Sequence, residues 1–369
     1  MTITFYSNFL NHHQLPLCQE FIKLIGEDNF HFVSCEKIHE ERTKMGYEDM
    51  NVKYPFVVRA YESEGQHAKS LELAENSDVV IIGTVNPEVA AIRSKNNKLT
   101  FLYRERLFKN GTWRRFNPST AIQLYRDYTS VRNKNFYLLG ASAYAADDVC
   151  LCGFKREKCL KWGYFPELLP MVDKTFGKLR ILWCGRMIWW KHPEDAVKVA
   201  RYLKEKGIDF EMKMIGNGEK REVVESMIAK YDLGSQVKTF DFMAPAEIRK
   251  TMNESNVYLF TSGKQEGWGV VLNEAMNSGC VVVANRNAGS APYLIEDGKN
   301  GFLYDGSKQQ LQSSIDNMLS CNMKSVSDAA YTSISRVWNP TQAARSLVEF
   351  ARTMSFLPAG PCSSTSYKQ

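Results

Sequence analysis

The sequence has no long hydrophobic run, since no stretch approaches the roughly 20 continuous apolar residues that a membrane-spanning helix needs. Nor does it open like a secretory signal: Met1 leads directly into a short apolar segment rather than into a charged region followed by an apolar one. The sequence therefore predicts a cytoplasmic protein that is neither secreted nor membrane-spanning.

Regular cysteine spacing is also missing. The nine cysteines are odd in number and scattered, and Cys150 with Cys152 forms a C-x-C that has no second pair nearby. This pattern favours reduced, mostly buried thiols over disulfides or a zinc site. The charge is only mildly unbalanced, at a formal net +6, which favours an anionic partner without indicating which kind.

The sequence does contain a repeated alternation of short apolar runs with helical segments. Its 369 residues exceed the size at which one core usually keeps growing, so two domains are expected. The alternation predicts parallel sheets covered by helices. The predicted strands are Ile3 to Tyr6, Phe30 to Val33, Phe56 to Arg59, Asp78 to Gly83, Leu99 to Tyr103 and Phe136 to Leu139, then Leu179 to Cys184, Phe210 to Ile215, Val237 to Phe240, Asn256 to Phe260 and Cys280 to Ala284.

A proline-containing segment separates the two halves. Residues 166–178 fit neither the helix nor the strand period and are predicted to be a linker between an N-terminal domain, 1–165, and a C-terminal domain, 179–340. A last helix is expected over 341–356, and it could cross back onto the first domain. The tail 357–369, rich in Pro, Gly and Ser, is expected to be disordered.

Polar residues collect after the strands of the second half, where open parallel sheets bind ligands. Arg186 and Lys191 follow the first strand, the turn 216–218 follows the second, and the cluster TSGKQEGWG at 261–269 follows the fourth. This cluster opens an apolar helix, whose start offers backbone N–H groups and a positive dipole end to a phosphate. The two cations would add positive charge against a leaving diphosphate.

No D-x-D motif or other carboxylate pair with metal spacing is present. We therefore expect side chains rather than magnesium to neutralise the leaving group. Glu266 lies in the loop and Glu274 in the helix, so one can accept hydrogen bonds from a sugar and the other from a ribose. Singly, such glutamates are usually solvated and a Gly-x-Gly is usually a turn, but their order after successive strands favours a site.

Four motifs stand in this half: GRMIWWK at 185–191, IGNGE at 215–219, QEGWGVVLNEAM at 265–276 and a run over 278–304. With these motifs, residues 181–304 resemble the retaining glycosyltransferases of family 4, especially those of bacterial surface polysaccharides. The resemblance implies the GT-B fold, in which two Rossmann-like α/β domains face each other across a cleft.

By the same resemblance, Arg186 and Lys191 bind the donor diphosphate, Glu266 contacts the donor sugar and Glu274 the ribose. The remaining donor-binding residues expected are Gly216, Gly218, Gly267, Trp268, Gly269, Val270 and Val271, with the backbone of the last three holding the phosphates. Family members need no metal or other cofactor, retain the anomeric configuration, and are thought to use the leaving phosphate to deprotonate the acceptor. Cys280 and Ser290 depart from the common proline and glycine, which leaves the donor sugar open.

In the first half, His12 and His13 follow the first strand and are expected at the interdomain cleft as hydrogen-bonding or proton-transfer groups. Helix capping or ring stacking is the alternative. Glu105 stands where many family members have a histidine that faces the acceptor. Flanked by Arg104 and Arg106, it should stay ionised and accept a hydrogen bond from a sugar hydroxyl, with a structural ion pair as the alternative.

The basic aromatic stretch, residues 104–134, carries eight basic and two acidic side chains interleaved with Phe108, Trp113, Phe116, Tyr125 and Tyr128. This composition suits the headgroup zone of an anionic membrane, where a lipid-diphosphate acceptor would be presented. Binding of single-stranded nucleic acid and a merely solvated basic face are the alternatives. The absence of a recognisable RNA module counts against nucleic acid.

The sequence thus predicts a glycosyltransferase that takes a UDP- or GDP-linked sugar to a hydroxyl of a carbohydrate or lipid-linked acceptor. Synthesis of a bacterial surface polysaccharide, at the inner face of the membrane, is the expected setting. Two alternatives stay open: a non-hydrolysing sugar-nucleotide epimerase, and a nucleotide-sugar-binding module that has lost catalysis.

Overall fold

The computed structural model describes residues 1–39 and 48–365, and the chain divides into two compact units. Unit 1 combines Met1–Glu167 with Trp338–Gln369, and unit 2 is Leu168–Val337. The division thus falls at the start of the predicted linker, whose later residues belong to unit 2. Within the described ranges, no helix has the length and apolar character that crossing a bilayer requires.

Unit 1 is built on a seven-stranded parallel sheet in the order β3-β2-β1-β4-β5-β6-β7. Its strands are β1 Ile3–Ser7, β2 Phe30–Ser34, β3 Val57–Arg59, β4 Val79–Ile82, β5 Thr100–Arg104, β6 Phe136–Gly140 and β7 Cys159–Lys161. Its helices before unit 2 are α1 Leu15–Ile25, α2 Glu64–Asn76, α3 Pro87–Lys95, α4 Pro118–Leu124 and α5 Ala145–Cys150. Every residue of β1 and β4 is buried, as expected for central strands covered by helices on both faces.

Unit 2 repeats this architecture with six parallel strands in the order β10-β9-β8-β11-β12-β13. Its strands are β8 Leu179–Cys184, β9 Phe210–Ile215, β10 Val237–Phe240, β11 Val257–Phe260, β12 Val281–Asn285 and β13 Phe302–Tyr304. Its helices are α6 Pro193–Glu205, α7 Arg221–Lys230, α8 Pro245–Glu254, α9 Val271–Asn277, α10 Ala291–Leu294, α11 Lys308–Ser320 and α12 Met323–Arg336. The predicted fold class, two Rossmann-like α/β domains, is confirmed.

The last helix, α13 Pro340–Thr353, belongs to unit 1, where it packs against α1. Asn339 caps it, since its side chain accepts a hydrogen bond from the backbone N–H of Gln342. Phe350 contacts the rings of Phe101 and Tyr137, with centroids 5.9 and 5.2 Å away. The apolar side of α13 therefore completes the core over the first sheet.

The disordered tail predicted over 357–369 is wrong for residues 357–365. The backbone N–H of Lys161 donates to the carbonyl of Ser363, and the N–H of Cys362 donates to the carbonyl of Lys161, each at 2.9 Å. Cys362, Ser363 and Thr365 are buried. Because β7 is an edge strand with unpaired backbone groups, the tail satisfies that edge by lying along it. Residues 366–369 lie outside the described part of the chain.

Candidate functional site

At the carboxyl edge of the second sheet, the loops after β8 and β9 touch through their backbones. The N–H of Met187 donates to the carbonyl of Asn217 at 2.8 Å. Gly216 and Gly218 have φ of +133° and +148°, and a Cβ on Gly216 would lie 2.0 Å from the carbonyl oxygen of Gly185. Only glycine permits this conformation and approach. The Gly-x-Gly turn therefore determines the shape of the loop that carries Arg186 and Lys191.

The loop after β11 fixes the same segment from the other side. The N–H of Gly263 donates to the carbonyl of Trp190 at 2.7 Å. The Thr261 hydroxyl donates to the carbonyl of Lys191 at 2.6 Å and accepts from the indole N–H of Trp183 at 2.8 Å. The bonds from Gly263 and Thr261 to the carbonyls of Trp190 and Lys191 hold the backbone from which the Lys191 side chain extends.

Lys191 and Glu266, predicted from separate motifs, form an ion pair. Lys191 Nζ lies 2.5 Å from Glu266 Oε2, and the two side chains are only 15% and 16% exposed. A pair this sheltered from water is screened less than a surface pair, and removing one member leaves an unbalanced charge. The site thus contains a cation and a carboxylate that an incoming anionic ligand could separate.

The start of α9 depends on another glycine. Gly269 has φ +85°, and a Cβ there would lie 2.3 Å from Cζ of Phe260. Trp268, which the sequence placed among the donor ligands, is buried, and its indole N–H donates to Oδ1 of Asn273 at 2.8 Å. Its side chain is therefore a packing group, and its backbone is the part that lies in the loop with Gly267, Val270 and Val271.

Glu274 lies partly buried in the first turn of α9. Burial raises the pKa of its carboxyl to about 7, and the positive charge of Arg249 opposes that rise. Arg249 also donates from Nη1 to the backbone carbonyl of Glu274 at 3.1 Å. The sequence did not predict this arginine, because α8 carries no motif and only the packing of α8 against α9 brings the two together.

Electrostatic effects indicate that these groups share one region. Burial and the charge of Glu274 raise the pKa of the Cys184 thiol, while Lys191 lowers it. Burial also raises the pKa of Tyr258, with Glu274 and Glu266 adding to the rise. The charges of Glu274 and Lys191 act on Cys184, and those of both glutamates act on Tyr258. The two glutamates and the lysine therefore lie around the same end of β8 and β11. Arg186 is exposed in the same loop, its guanidinium 5.8 Å from the Trp190 ring centroid.

In unit 1, the rings of His12 and His13 are in contact, with centroids 3.7 Å apart and planes inclined at 47°. Oδ1 of Asn11 accepts from the backbone N–H groups of His13 and Gln14 just before α1. The two rings thus contact each other at a tilt rather than as a parallel stack, and the Asn11 side chain caps the turn before α1. A role for either ring in proton transfer stays a prediction.

Glu105 is paired, but not with its neighbouring arginines. Lys109 Nζ lies 2.6 Å from Oε2 of Glu105, and the Tyr164 hydroxyl donates to Oε1 at 3.2 Å. Arg104 instead donates to the carbonyls of residues 82 and 84, and Arg106 lies 4.6 Å from the Tyr144 ring centroid. The structure thus shows the alternative that the sequence left open, an ion pair, and the partner is Lys109 rather than Arg104 or Arg106. Alternate residues of an extended chain point to opposite sides, which directs both arginines away from Glu105.

A depression of about 250 Å³ lies beside Glu105 at the carboxyl edge of the first sheet. Burial, together with the charge of Glu105, raises the pKa of the Tyr164 phenol well above its usual value, so this hydroxyl keeps its proton. The depression can therefore offer both hydrogen-bond donors and an acceptor. It is lined by Ser7, Gln14, Gly83, Tyr103, Arg104, Glu105 and Tyr164.

Residues 173–334 match the family model described as Glycosyl transferases group 1. The chain is 32% identical over 187 residues to the amylovoran biosynthesis glycosyltransferase AmsK of Erwinia amylovora, covering 48% of this chain and 46% of that protein. It is 31% identical over 130 residues to the putative colanic acid biosynthesis glycosyltransferase WcaL of Escherichia coli K12, covering 34% and 32%. The matched region thus spans less than half the length of these relatives.

Solved structures resemble nearly the whole chain. Anabaena Alr3699/HepE in complex with UDP superposes with a TM-score of 0.70 at 16% identity, covering 96% of this chain and all of that one. The lipopolysaccharide outer core galactosyltransferase WaaB superposes with a TM-score of 0.71 at 15% identity, covering 96% and 99%. At these identities the likeness shows the fold, which is the two-domain α/β architecture of the GT-B type.

Proposed function

We propose that this protein is a glycosyltransferase that moves a sugar from a nucleotide-diphosphate donor to an acceptor hydroxyl, with the donor bound at the carboxyl edge of the second sheet. The observation that carries this proposal is the Lys191–Glu266 pair, sheltered from water and held by three loops. The match of residues 173–334 to Glycosyl transferases group 1 supports it. The UDP and UDP-glucose complexes of the structurally similar HepE support a nucleotide sugar as donor.

The ion pair suggests how a donor enters. A diphosphate carries more negative charge than one carboxylate, so the Lys191 ammonium would pair with the diphosphate instead of with Glu266. Glu266 could then accept a hydrogen bond from the donor sugar. Arg186 and the backbone around Gly269 would contact the remaining phosphate oxygens, and an ionised Glu274 would accept from the ribose. The cations would then stabilise the negative charge that develops as the diphosphate leaves.

In the proposed reaction, the bond from the anomeric carbon to the diphosphate breaks and the bond to the acceptor oxygen forms on the same face of the sugar. The acceptor proton passes to a leaving phosphate oxygen, so that no metal ion and no covalent carboxylate intermediate is needed. Within the described residues, no group of three or more His, Cys, Asp and Glu side chains is arranged to hold a metal ion.

The depression beside Glu105 is the proposed place for the acceptor. Glu105 would accept a hydrogen bond from a hydroxyl, and His12 or His13, which follow β1 of the same unit, would contact the acceptor. Because two relatives are named for amylovoran and colanic acid biosynthesis, we propose an intermediate of a bacterial surface polysaccharide as acceptor, met at the cytoplasmic side of the membrane.

The test is an assay of the purified protein with a panel of UDP- and GDP-sugars, with and without lipid-linked or free saccharide acceptors, in the presence of a metal chelator. We expect release of a nucleoside diphosphate that depends on one donor and one acceptor class, and a product whose anomeric configuration matches the donor by NMR. Conversion of a nucleotide sugar without acceptor would instead indicate an epimerase. Tight binding without turnover across the panel would indicate a silent binding module.

A further inference from the structure

The chain between β5 and β6 exposes large apolar side chains. Trp113, Phe116, Ile122 and Tyr125, here called the apolar quartet, are 67%, 73%, 71% and 62% exposed. Neither the 3-10 helix Thr112–Phe116 nor α4 contains a buried residue. Water is a poor solvent for this much apolar surface, and exposed apolar patches on globular proteins commonly mark sites of interaction.

The apolar quartet comes from one short segment of the chain. Trp113 and Phe116 are three residues apart in the 3-10 helix, and Ile122 and Tyr125 are three apart at the end of α4. Residues at this spacing share one side of a helix. Only Asn117 separates the 3-10 helix from α4, and Tyr125 directly follows α4, so both pairs lie within 13 consecutive residues of the chain.

The charge around the quartet has one sign. Residues 112–134 contain five basic side chains and a single acidic one, Asp127. Arg126 Nε lies 2.9 Å from Oδ1 of Asp127, so the one carboxylate is already neutralised. In the ranges that the structure covers, Arg114 and Arg115 take part in no ion pair, and Arg115 lies 4.8 Å from the Phe116 ring centroid. The quartet is thus accompanied by uncompensated positive charge.

We propose that this surface binds an anionic phospholipid bilayer, with the apolar quartet in the headgroup zone and the arginines at the lipid phosphates. Aromatic rings and arginine stems suit that zone, where one end of a side chain is apolar and the other meets water. The basic side chains complement the negative charge of the lipids. Single-stranded nucleic acid would use stacking rings, which Ile122 cannot provide. The inference concerns unit 1 alone and does not depend on the proposed sugar transfer.

The test is co-sedimentation of the full chain with vesicles of phosphatidylcholine, with and without phosphatidylglycerol. We expect binding only to the anionic vesicles, weakening as salt is added. The double variant Arg114→Ala/Arg115→Ala should bind about 30-fold more weakly, since each cation near such a surface contributes roughly a fivefold factor. The control variant Lys69→Ala/Lys95→Ala also removes two exposed positive charges of unit 1, but at positions outside residues 112–134. It should bind the vesicles as the parent does.

A second pair of variants tests the apolar contribution. Trp113→Ser/Ile122→Ser should lose most of the vesicle binding, while Leu24→Ser/Val85→Ser, at residues 38% and 51% exposed in the same unit, should keep it. Equal unfolding midpoints would show that each variant is folded, as expected for exposed positions. The proposal would be overturned if the chain bound neutral vesicles equally well, or if the control variants lost binding to the same extent. Binding to single-stranded RNA without vesicle binding, or a dimer that buries Trp113, would also overturn it.

Discussion

The carboxyl edges of the two sheets differ in what shapes them. In unit 2, glycines bring backbone against backbone, as at Gly216, and leave the Lys191–Glu266 pair between the loops. In unit 1, the edge is shaped by side chains, with Tyr164 and Lys109 both bonded to Glu105. Replacing a glycine at the edge of unit 2 would therefore disturb the backbone of the loops. A substitution at the edge of unit 1 would change individual side-chain contacts only.

The largest effect is expected at the ion pair. Lys191→Met should lower turnover by roughly 100- to 1,000-fold, because it removes a cation that stabilises the leaving diphosphate. Glu266→Gln should have an effect of the same order through the donor sugar. Lys198→Met, which breaks the ion pair of the exposed Lys198 with Asp195 within α6, is the matched control and should stay within a few-fold of the parent. Steady-state rates of nucleotide release measure all three, and a normal rate for Lys191→Met would show that unit 2 does not carry the chemistry.

The next effect concerns the backbone of the same edge. Gly216→Ala should lower the free energy of unfolding by roughly 1 to 3 kcal/mol and weaken donor binding, because its Cβ would meet the Gly185 carbonyl in a strained conformation. Gly234→Ala, where a Cβ meets nothing within 4 Å, should leave both quantities nearly unchanged. Denaturant unfolding and donor titration distinguish them. Equal stability of the two variants would mean that the loops of unit 2 are not held by close backbone contact.

A smaller effect depends on pH. The folded protein keeps a proton on Glu274 between about pH 4.5 and 7, where the unfolded chain has lost it, so stability falls as the pH rises through this window. Glutamine does not ionise, so Glu274→Gln removes this pH-dependent fall in the free energy of unfolding. Its advantage in the free energy of unfolding over the parent should therefore grow by roughly 2 kcal/mol from pH 5 to pH 8. A difference that stays constant with pH would mean that Glu274 is solvated in the absence of donor.

The smallest effect is expected in unit 1. Glu105→Gln should raise the KM for the acceptor by about tenfold while the KM for the donor stays constant, because one carboxylate hydrogen bond is replaced by a weaker amide one. Lys109→Met keeps Glu105 but removes its ion pair, and it should change the acceptor KM less. If both variants change the donor KM instead, the division of the two edges between acceptor and donor is wrong.

The strands of both sheets could be predicted because most are buried apolar runs such as Val79–Ile82, bounded by polar segments. The two missed strands, β7 and β13, have three residues each. β3 is equally short, but Phe56 before it lengthens its apolar run and made it recognisable. The tail was mistaken for disorder because its Pro, Gly and Ser content is typical of loops. Only the structure reveals that an open strand edge lies beside it.

The parts of the unit 2 site that are formed by single loops could be predicted from sequence motifs. The glycine turn at 216–218 and the loop 261–269 have sequence motifs, and both lie at the predicted sheet edge. Arg249 has no motif, since its contact with Glu274 arises from the packing of two helices. For Glu105 the sequence left an ion pair open as an alternative but did not name Lys109 as the partner, since adjacency in sequence does not set the direction of a side chain.

The most direct test of the donor site is calorimetric titration of UDP and GDP into the chain, with a metal chelator present. The account predicts that one nucleotide binds to the parent and to Lys198→Met equally, and at least about tenfold more weakly to Lys191→Met, since a charge-assisted contact to the diphosphate is lost. Unchanged affinity in Lys191→Met would contradict the placement of the diphosphate between the loops of unit 2.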